Sequence, residues 1–339
     1  MKDDEVLYLV EQMSEEKYFY QEESKYYTNE GSPSDTAYEK VRHFRDANML
    51  PRLNTLLDKV KQAEQKQHLY FMIGTIGENS GDVRAGMLLL EKLEQETKLS
   101  LLESILEEIA KQRCIHNTER IVKYIDDSRS SVREAAIQAL RVCRDEIAED
   151  ALIRLITTSN NSFDIMSANF VLATIGTERA VPYLTPLLDH SRGDVRHSAL
   201  VALSNLGDKA HLPIFVNGLE DRSGNVKEYA LVAIERHGDE VAIELVIKRL
   251  QILLKRKRKR KRQIQTDEVI IALRFLYRYQ HSSQAIPKLF HWIIQTKKNF
   301  CLTKNGDGSK IILLILDVAN DKQKKPDHSL EVNSQTYSL

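Results

Sequence analysis

A period of 31 to 32 residues runs through the middle of this chain and limits what it can fold into. Four segments align: SVREAAIQALRVCR from Ser131, FDIMSANFVLATIG from Phe163, DVRHSALVALSNLG from Asp194 and NVKEYALVAIERHG from Asn225. A small residue recurs at Ala136, Ala168, Ala199 and Ala230, with spacings of 32, 31 and 31. Leu140, Leu172, Leu203 and Ile234 follow at the same spacings, and so do Cys143, Ile175, Leu206 and His237. Within a unit these three positions stand at i, i+4 and i+7, which is one stripe of an α-helix. A unit that cannot bury its own apolar stripe must stack on its neighbours, so the period predicts a repeat array.

Each unit also holds a preceding helix, over Glu119–Ile125, Ala151–Ile156, Ala180–Leu188 and His211–Leu219. The units therefore read as antiparallel helical hairpins, and the fold class is an all-α solenoid of stacked hairpins. Ser131, Asp194 and Asn225 are suited to N-caps, with Glu134 and Glu228 in capping-box places. Gly176, Gly207 and Gly238 follow the last apolar residue, where a left-handed residue is expected. Upstream, Ile73, Ile76 and Gly77 repeat the end of the motif, as do Leu106, Ile109 and Ala110. Downstream, AIPKLFHWI from Ala285 echoes AVPYLTPLL from Ala180. About eight hairpins are expected between residues 50 and 319.

The unit after Gly238 is too long. Its second helix should end near Gln280, 42 residues on, so about 11 residues exceed the period. The excess coincides with Lys255, Arg256, Lys257, Arg258, Lys259, Arg260, Lys261 and Arg262. This basic run is expected in an insertion between the two helices of one hairpin, or as an extension of the first. It leaves 41 basic residues against 49 acidic ones in the remainder. The expected organisation is an acidic, tyrosine-rich helical cap over 1–48, a repeat array over 49–320 with the insertion at 255–265, and a disordered tail over 321–339. An amphipathic helix near Val6–Met13 belongs to the cap. Tyr8, Tyr18, Tyr20, Tyr26, Tyr27 and Tyr38 crowd the first 38 residues. They suit either packing over the open end of the array or an interface.

At the repeat residues the chain resembles HEAT repeats, in particular the short HEAT-like repeats named after phycobilisome lyases. The shared pattern is an acid ending the first helix, then Asp-Val-Arg, then Ala and Leu at i and i+4, then Leu-Gly. The resemblance implies a superhelix whose second helices line a concave face. It also implies an acid–base ladder between successive repeats, formed here by Asp126 with Arg133, Asp189 with Arg196 and Glu220 with Lys227. Thr158 and Ile165 hold those places in the unit from Phe163, so a break is expected there. Hydroxylases of the wider group carry His-Glu pairs that bind iron, and none of the ten histidines here precedes a glutamate. Relatives that repair alkylated bases use a basic groove with aromatic residues. Here the repeats are net acidic, and the single tryptophan, Trp292, falls on a first helix.

Other candidate chemistry is thin. The segment Lys304 to Lys310, KNGDGSK, lacks the Gly-Lys-Ser/Thr order of a P-loop. As a calcium loop from Asn305 it would carry Leu316 where a bidentate Glu is needed, so an interhelical turn is expected. His190 and His197 flank a loop without converging partners and read as solvated. Cys114, Cys143 and Cys301 are scattered, and Cys143 belongs to the core stripe. The start, MKDDEVLYLVEQMSEE, has no long apolar stretch, so no leader is expected, and no segment approaches a membrane span. These features lead us to expect a cytoplasmic, non-catalytic protein with no cofactor and no metal.

The expected function is that of a scaffold: an adaptor, a regulatory subunit, or an inhibitor or immunity-type protein. Stacked hairpins present side chains at regular spacing over an extended face. The position two after the repeating alanine is Gln138, Phe170, Val201 and Val232. At about 100° per residue it lies roughly 200° around the helix from that alanine, away from the main stripe. These residues are the candidate partner-binding row, with Arg141, Asn205 and Arg236 as its polar rim. The same apolar side chains also suit lateral packing between repeats. The alternative function is binding of nucleic acid or another anionic surface through Lys255 to Arg262, driven by counterion release.

Overall fold

Apolar residues repeating at helical spacing give helix nearly throughout the computed structural model, which describes residues 1–21, 26–113, 115–255 and 266–296. Two compact units, Met1–Asp208 and Lys209–Leu339, divide the chain. The first opens with α1 (Asp3–Ser14), a two-stranded antiparallel hairpin of β1 (Phe19–Gln21) and β2 (Tyr26–Thr28), and α2 (Pro33–Val41). Five helical hairpins follow: α3 (Leu50–Lys59) with α4 (Ala63–Ser80), α5 (Val83–Gln95) with α6 (Leu99–Ala110), α7 (Glu119–Val122) with α8 (Ser130–Ala139), α9 (Glu146–Thr158) with α10 (Ser162–Ile175), and α11 (Val181–Leu184) with α12 (Gly193–Leu206). The second unit holds α13 (Leu212–Gly218) with α14 (Gly224–His237), α15 (Ile243–Lys255) with α16 (Thr266–Arg278), and α17 (Ala285–Thr296). The chain is an all-α solenoid, and within each unit the hairpins stack in sequence order.

In the first unit the second helices form one layer, in which α4 packs on α6, α6 on α8, α8 on α10 and α10 on α12. The first helices form the other layer, running α3, α5, α7, α9, α11. The repeating stripe is the core between them: Ala136, Ala168, Ala199, Leu140, Leu172, Leu203 and Cys143 are all fully buried. Alanine at the first place lets the neighbouring helix approach, and leucine fills the space one turn on. Burying each such leucine contributes about 1.5–3 kcal/mol.

The helix starts lie two residues ahead of the expected N-caps. The observed N-cap positions are Arg129, Asn161, Arg192 and Ser223, so Ser131, Asp194 and Asn225 are already inside their helices, and Glu134 and Glu228 form no capping box. A turn that recurs with the repeat sets the start. In it a side-chain acceptor two residues before the N-cap receives the N-cap's backbone N–H. The pairs are Asp127 Oδ1 with Arg129 (2.9 Å), Ser159 Oγ with Asn161 (3.0 Å), His190 Nδ1 with Arg192 (3.1 Å) and Asp221 Oδ1 with Ser223 (2.6 Å). Such local side-chain acceptors compete with helix and define its boundary.

The glycines after the second helices are not left-handed. Gly176, Gly207 and Gly238 have φ of −68°, −86° and −70° with extended ψ. Glycine is needed there for closeness. A Cβ on Gly176 would stand 2.6 Å from the Leu172 carbonyl oxygen and 3.0 Å from Leu206, and one on Gly238 would stand 2.4 Å from the Ile234 carbonyl oxygen. Gly77 ends no helix either. It lies inside α4, which runs on to a left-handed Gly81 at φ 71°.

The acid–base ladder exists with other partners. Arg133 Nε donates to Asp164 of the next repeat at 2.9 Å, while its Nη1 donates to the carbonyls of Asp127 and Ser128. Asp126, the expected partner, pairs instead with Arg154 at 2.7 Å, and Glu220 pairs with Lys248 at 3.6 Å. Asp58 with Lys92 and Glu94 with Lys123 extend this second series along the first helices. Thr158 turns its hydroxyl to the carbonyl of Arg154 in its own helix. No break follows, since Arg179, just before α11, pairs with Asp150 of α9 at 2.6 Å, and Asp164 supplies a rung beside Ile165.

The amino-terminal segment is not purely helical, since it contains the β-hairpin. Val6, Leu9, Val10 and Met13 of α1 are buried, and α1 packs on α2 and α4. His68 of α4 ties these helices together, its Nε2 3.1 Å from Ser14 Oγ and its Nδ1 3.1 Å from Tyr38 OH. Burial holds the His68 imidazole below its ordinary pKa. Tyr8, Tyr18, Tyr20 and Tyr27 lie exposed rather than packed over the array, while Tyr38 is half-buried.

Candidate partner-binding face

The residues expected to form a partner row are distributed over two units. Gln138 on α8, Phe170 on α10 and Val201 on α12 belong to successive helices of the second-helix layer in the first unit. Val232 and Arg236 belong to α14 in the second unit, where Val232 is half-buried and Arg236 exposed. Gln138 is half-buried, and Arg141, on the single turn that follows α8, is exposed.

Phe170 and Val201 part company. Phe170 is 39% exposed, whereas Val201 is only 8% exposed. On α12 the residues Ala199, Leu200, Val201, Ala202, Leu203 and Ser204 are all buried, so the helix has little free face at this point. Val201 therefore packs between helices and offers nothing to a partner. Asn205 is exposed, and its Nδ2 donates to the Ala173 carbonyl at 3.0 Å, which ties α12 to α10.

One exposed residue was not singled out from the sequence. Phe163, seven residues before Phe170 on α10, is 61% exposed. Two phenylalanines at i and i+7 share a helix face, a spacing that can be read directly from SFDIMSANF. Around them, the Arg192 guanidinium carbon lies 5.2 Å from the Phe163 ring centroid, within the range of a cation–π contact. The His197 ring meets Phe170 edge-on with centroids 6.3 Å apart. His197 is thus a half-buried helix residue rather than a solvated loop one, and burial lowers its pKa. Arg192 also donates to Asp194 Oδ1 at 3.0 Å, a contact that holds the Asp194 carboxyl down to about 2. The face is apolar at its centre, with a fixed guanidinium and an imidazole on one side.

The remaining candidates divide between described and undescribed residues. Lys255, the last residue of α15, is exposed; Arg256 to Arg262, the KNGDGSK segment, Cys114, Cys301 and the tail lie outside the described residues. Among the described residues no group of three His, Cys, Asp or Glu side chains is placed to hold a metal ion, and no helix is long and apolar enough to cross a membrane.

Residues 118–204 match a family model described as HEAT repeats. Among solved structures, YIBA of E. coli aligns at 15% identity over 87% of this chain and 100% of that one, with a TM-score of 0.51, and shares the fold. An engineered protein aligns at 16% identity over 94% and 89% of the two chains, with a TM-score of 0.47. The complex of CpcE and CpcF of phycocyanin lyase from Nostoc sp. PCC7120 aligns at 18% identity over 79% and 93%, with a TM-score of 0.42. No curated protein matches the chain with significance.

Proposed function

Because residues 118–204 match a family model of HEAT repeats, we propose that the chain is a non-catalytic scaffold that holds a protein partner on its second-helix layer, centred on α10. The observation that carries this reading is the pair Phe163 and Phe170, exposed together on one face of a helix whose other faces are buried. Both residues keep apolar surface in water, 61% of Phe163 and 39% of Phe170, beyond what their contacts with Arg192 and His197 cover. Covering what remains exposed would contribute about 1–2 kcal/mol at Phe163 and about 1 kcal/mol at Phe170. Arg192 and His197 beside the rings, with Gln138 and Arg141 on α8, give the polar surround typical of an interface. An adaptor and an inhibitor would both use such a face in this way.

The test is the double substitution Phe163→Ser with Phe170→Ser. The variant should keep the wild-type helical signal and melting temperature to within a few degrees, and should lose the proteins that the wild type captures from its native cells. Unchanged capture by a folded variant would overturn the assignment of this face.

A further inference from the structure

The opposite end of the same layer has a different chemistry, independent of the two phenylalanines. Phe71 of α4 is half-buried, and the Tyr38 ring of α2 meets it edge-on with centroids 5.1 Å apart. The Lys111 ammonium, just past the end of α6, stands 5.3 Å from the centre of the Phe71 ring. The same ammonium lies 2.6 Å from Glu108 Oε1.

Glu108 is only 4% exposed, and its second oxygen, Oε2, has no hydrogen-bond partner. That oxygen occupies a notch in α4. A Cβ on Gly74 would come within 2.0 Å of it, so only glycine admits the carboxylate. Positions 71, 74 and 78 lie on one side of α4, so the notch lies between the Phe71 ring and Glu78. Glu107 and Glu78 are close enough to act on the Glu108 carboxyl, and Glu64 and Glu16 act on the Tyr38 phenol. Glu64, Glu78 and Glu107 are exposed. Against these carboxylates Lys111 brings one positive charge, and Arg113 another that is engaged with the Glu78 backbone carbonyl at 3.2 Å.

An aromatic face that already holds an ammonium and a rim of exposed carboxylates both favour a cation and repel an anion. Lys111 marks the place where an ammonium sits. Glu64 and Glu78 are 14 residues apart on α4, which at helical rise is about 21 Å. A ligand that uses both must be extended, and about six residues of peptide span that length.

We propose that this end of the second-helix layer receives a basic, extended peptide segment of a partner protein. One lysine or arginine of that segment takes the Phe71 ring face now covered by Lys111, and its neighbours pair with Glu64, Glu78 and Glu107. Lys111 acts as a built-in competitor that keeps the site neutralised until a partner displaces it.

The experiment measures binding of a fluorescent hexalysine peptide to the full chain by anisotropy at low salt. Hexaglutamate serves as control and spermidine as competitor. The triple variant Glu64→Gln, Glu78→Gln, Glu107→Gln should bind about tenfold more weakly while melting as the wild type does, since all three side chains are exposed. Lys111→Ala should bind about threefold more tightly, because the competitor is gone. Phe163→Ser with Phe170→Ser should leave hexalysine binding unchanged, which separates this site from the apolar one. Absent hexalysine binding, equal binding by the triple variant, or weaker binding by Lys111→Ala would overturn the proposal. Displacement by spermidine as effective as displacement by unlabelled peptide would overturn the assignment to a peptide.

Discussion

Glu108→Gln should change how the stability of this protein depends on pH. In the native chain the Glu108 carboxyl, ordinarily near 4.5, is pushed up to about 7 by burial, against the pull of the Lys111 ammonium. Between these two values the folded protein holds a proton that the unfolded chain has released. Stability therefore falls as pH rises from about 4.5 to about 7, and is constant with respect to this group above that. A separation of this size corresponds to a loss of about 3 kcal/mol across the window. Glutamine has nearly the same shape and does not titrate. At pH 4.5 the two proteins should be equally stable, because Glu108 is then protonated in the folded state. At pH 8 the variant should be the more stable by about 3 kcal/mol. Urea unfolding followed by circular dichroism at the two pH values gives the comparison, and taking the difference between proteins cancels every other titrating group. A transition of equal steepness in both proteins is required for midpoints to report stability. Curves for wild type and variant that run parallel from pH 4.5 to 8 would refute the reasoning, because they would show Glu108 titrating as a solvated carboxyl.

Val201→Ser and Phe170→Ser should differ in how much they lower thermal stability. The first removes a buried methyl pair and should cost about 1–3 kcal/mol, while the second should cost clearly less because its ring is already part-exposed; equal losses would return Phe170 to the packing between repeats. In the second unit, Arg249 Nε donates to Glu268 at 3.1 Å, and the two side chains are only 4% and 12% exposed. Glu268→Gln should cost about 3 kcal/mol by leaving a buried guanidinium without its counter-charge, whereas Asp126→Asn, which breaks a solvated rung of the ladder, should cost under about 1 kcal/mol in the same urea assay. Replacing Lys255 to Arg262 by serine and glycine should leave the melting temperature unchanged, since eight like charges cannot be buried unpaired. The same variant should elute from immobilised heparin at lower salt than the wild type; a large loss of stability would show instead that the run is paired inside the fold.

The architecture was legible because its energetic basis is periodic. A stripe with Ala and Leu or Ile at i and i+4, repeated every 31 to 32 residues, has one economical solution, and Ala136, Ala168, Ala199, Ala230, Leu140, Leu172, Leu203 and Ile234 are buried as that solution requires; at i+7 only Cys143 is, while Ile175, Leu206 and His237 are half-buried. Helix ends were less legible because they depend on contacts outside the apolar stripe, some local and some from the next repeat. Gly176 is set by the approach of Leu206, a residue of the next repeat, and the start of α8 by Asp127 in the turn before it. Exposure along the proposed row was half legible. Spacing placed Phe170 and Val201 alike, 200° from the alanine stripe by the helical rotation of about 100° per residue, yet only Phe170 is exposed. The angle fixes a direction and says nothing about which neighbour fills it. Phe163 was open to the same reasoning through its i, i+7 relation to Phe170. The acidic site proposed around Phe71 had no sequence pattern, since it joins α2, α4 and α6 through one glycine notch.

The four interhelical turns at Asp127, Ser159, His190 and Asp221 do the same job with three kinds of side chain. What the fold requires at that place is a lone pair at the right distance from one amide, not an amino acid. An array built on such a requirement can drift in spelling while keeping its grammar. Across these four hairpins carboxylate, hydroxyl and imidazole each accept from the same backbone position. Recognition by residue identity would then fade along the chain sooner than the stacking does. The family match ends at residue 204, whereas the same turn recurs between α13 and α14.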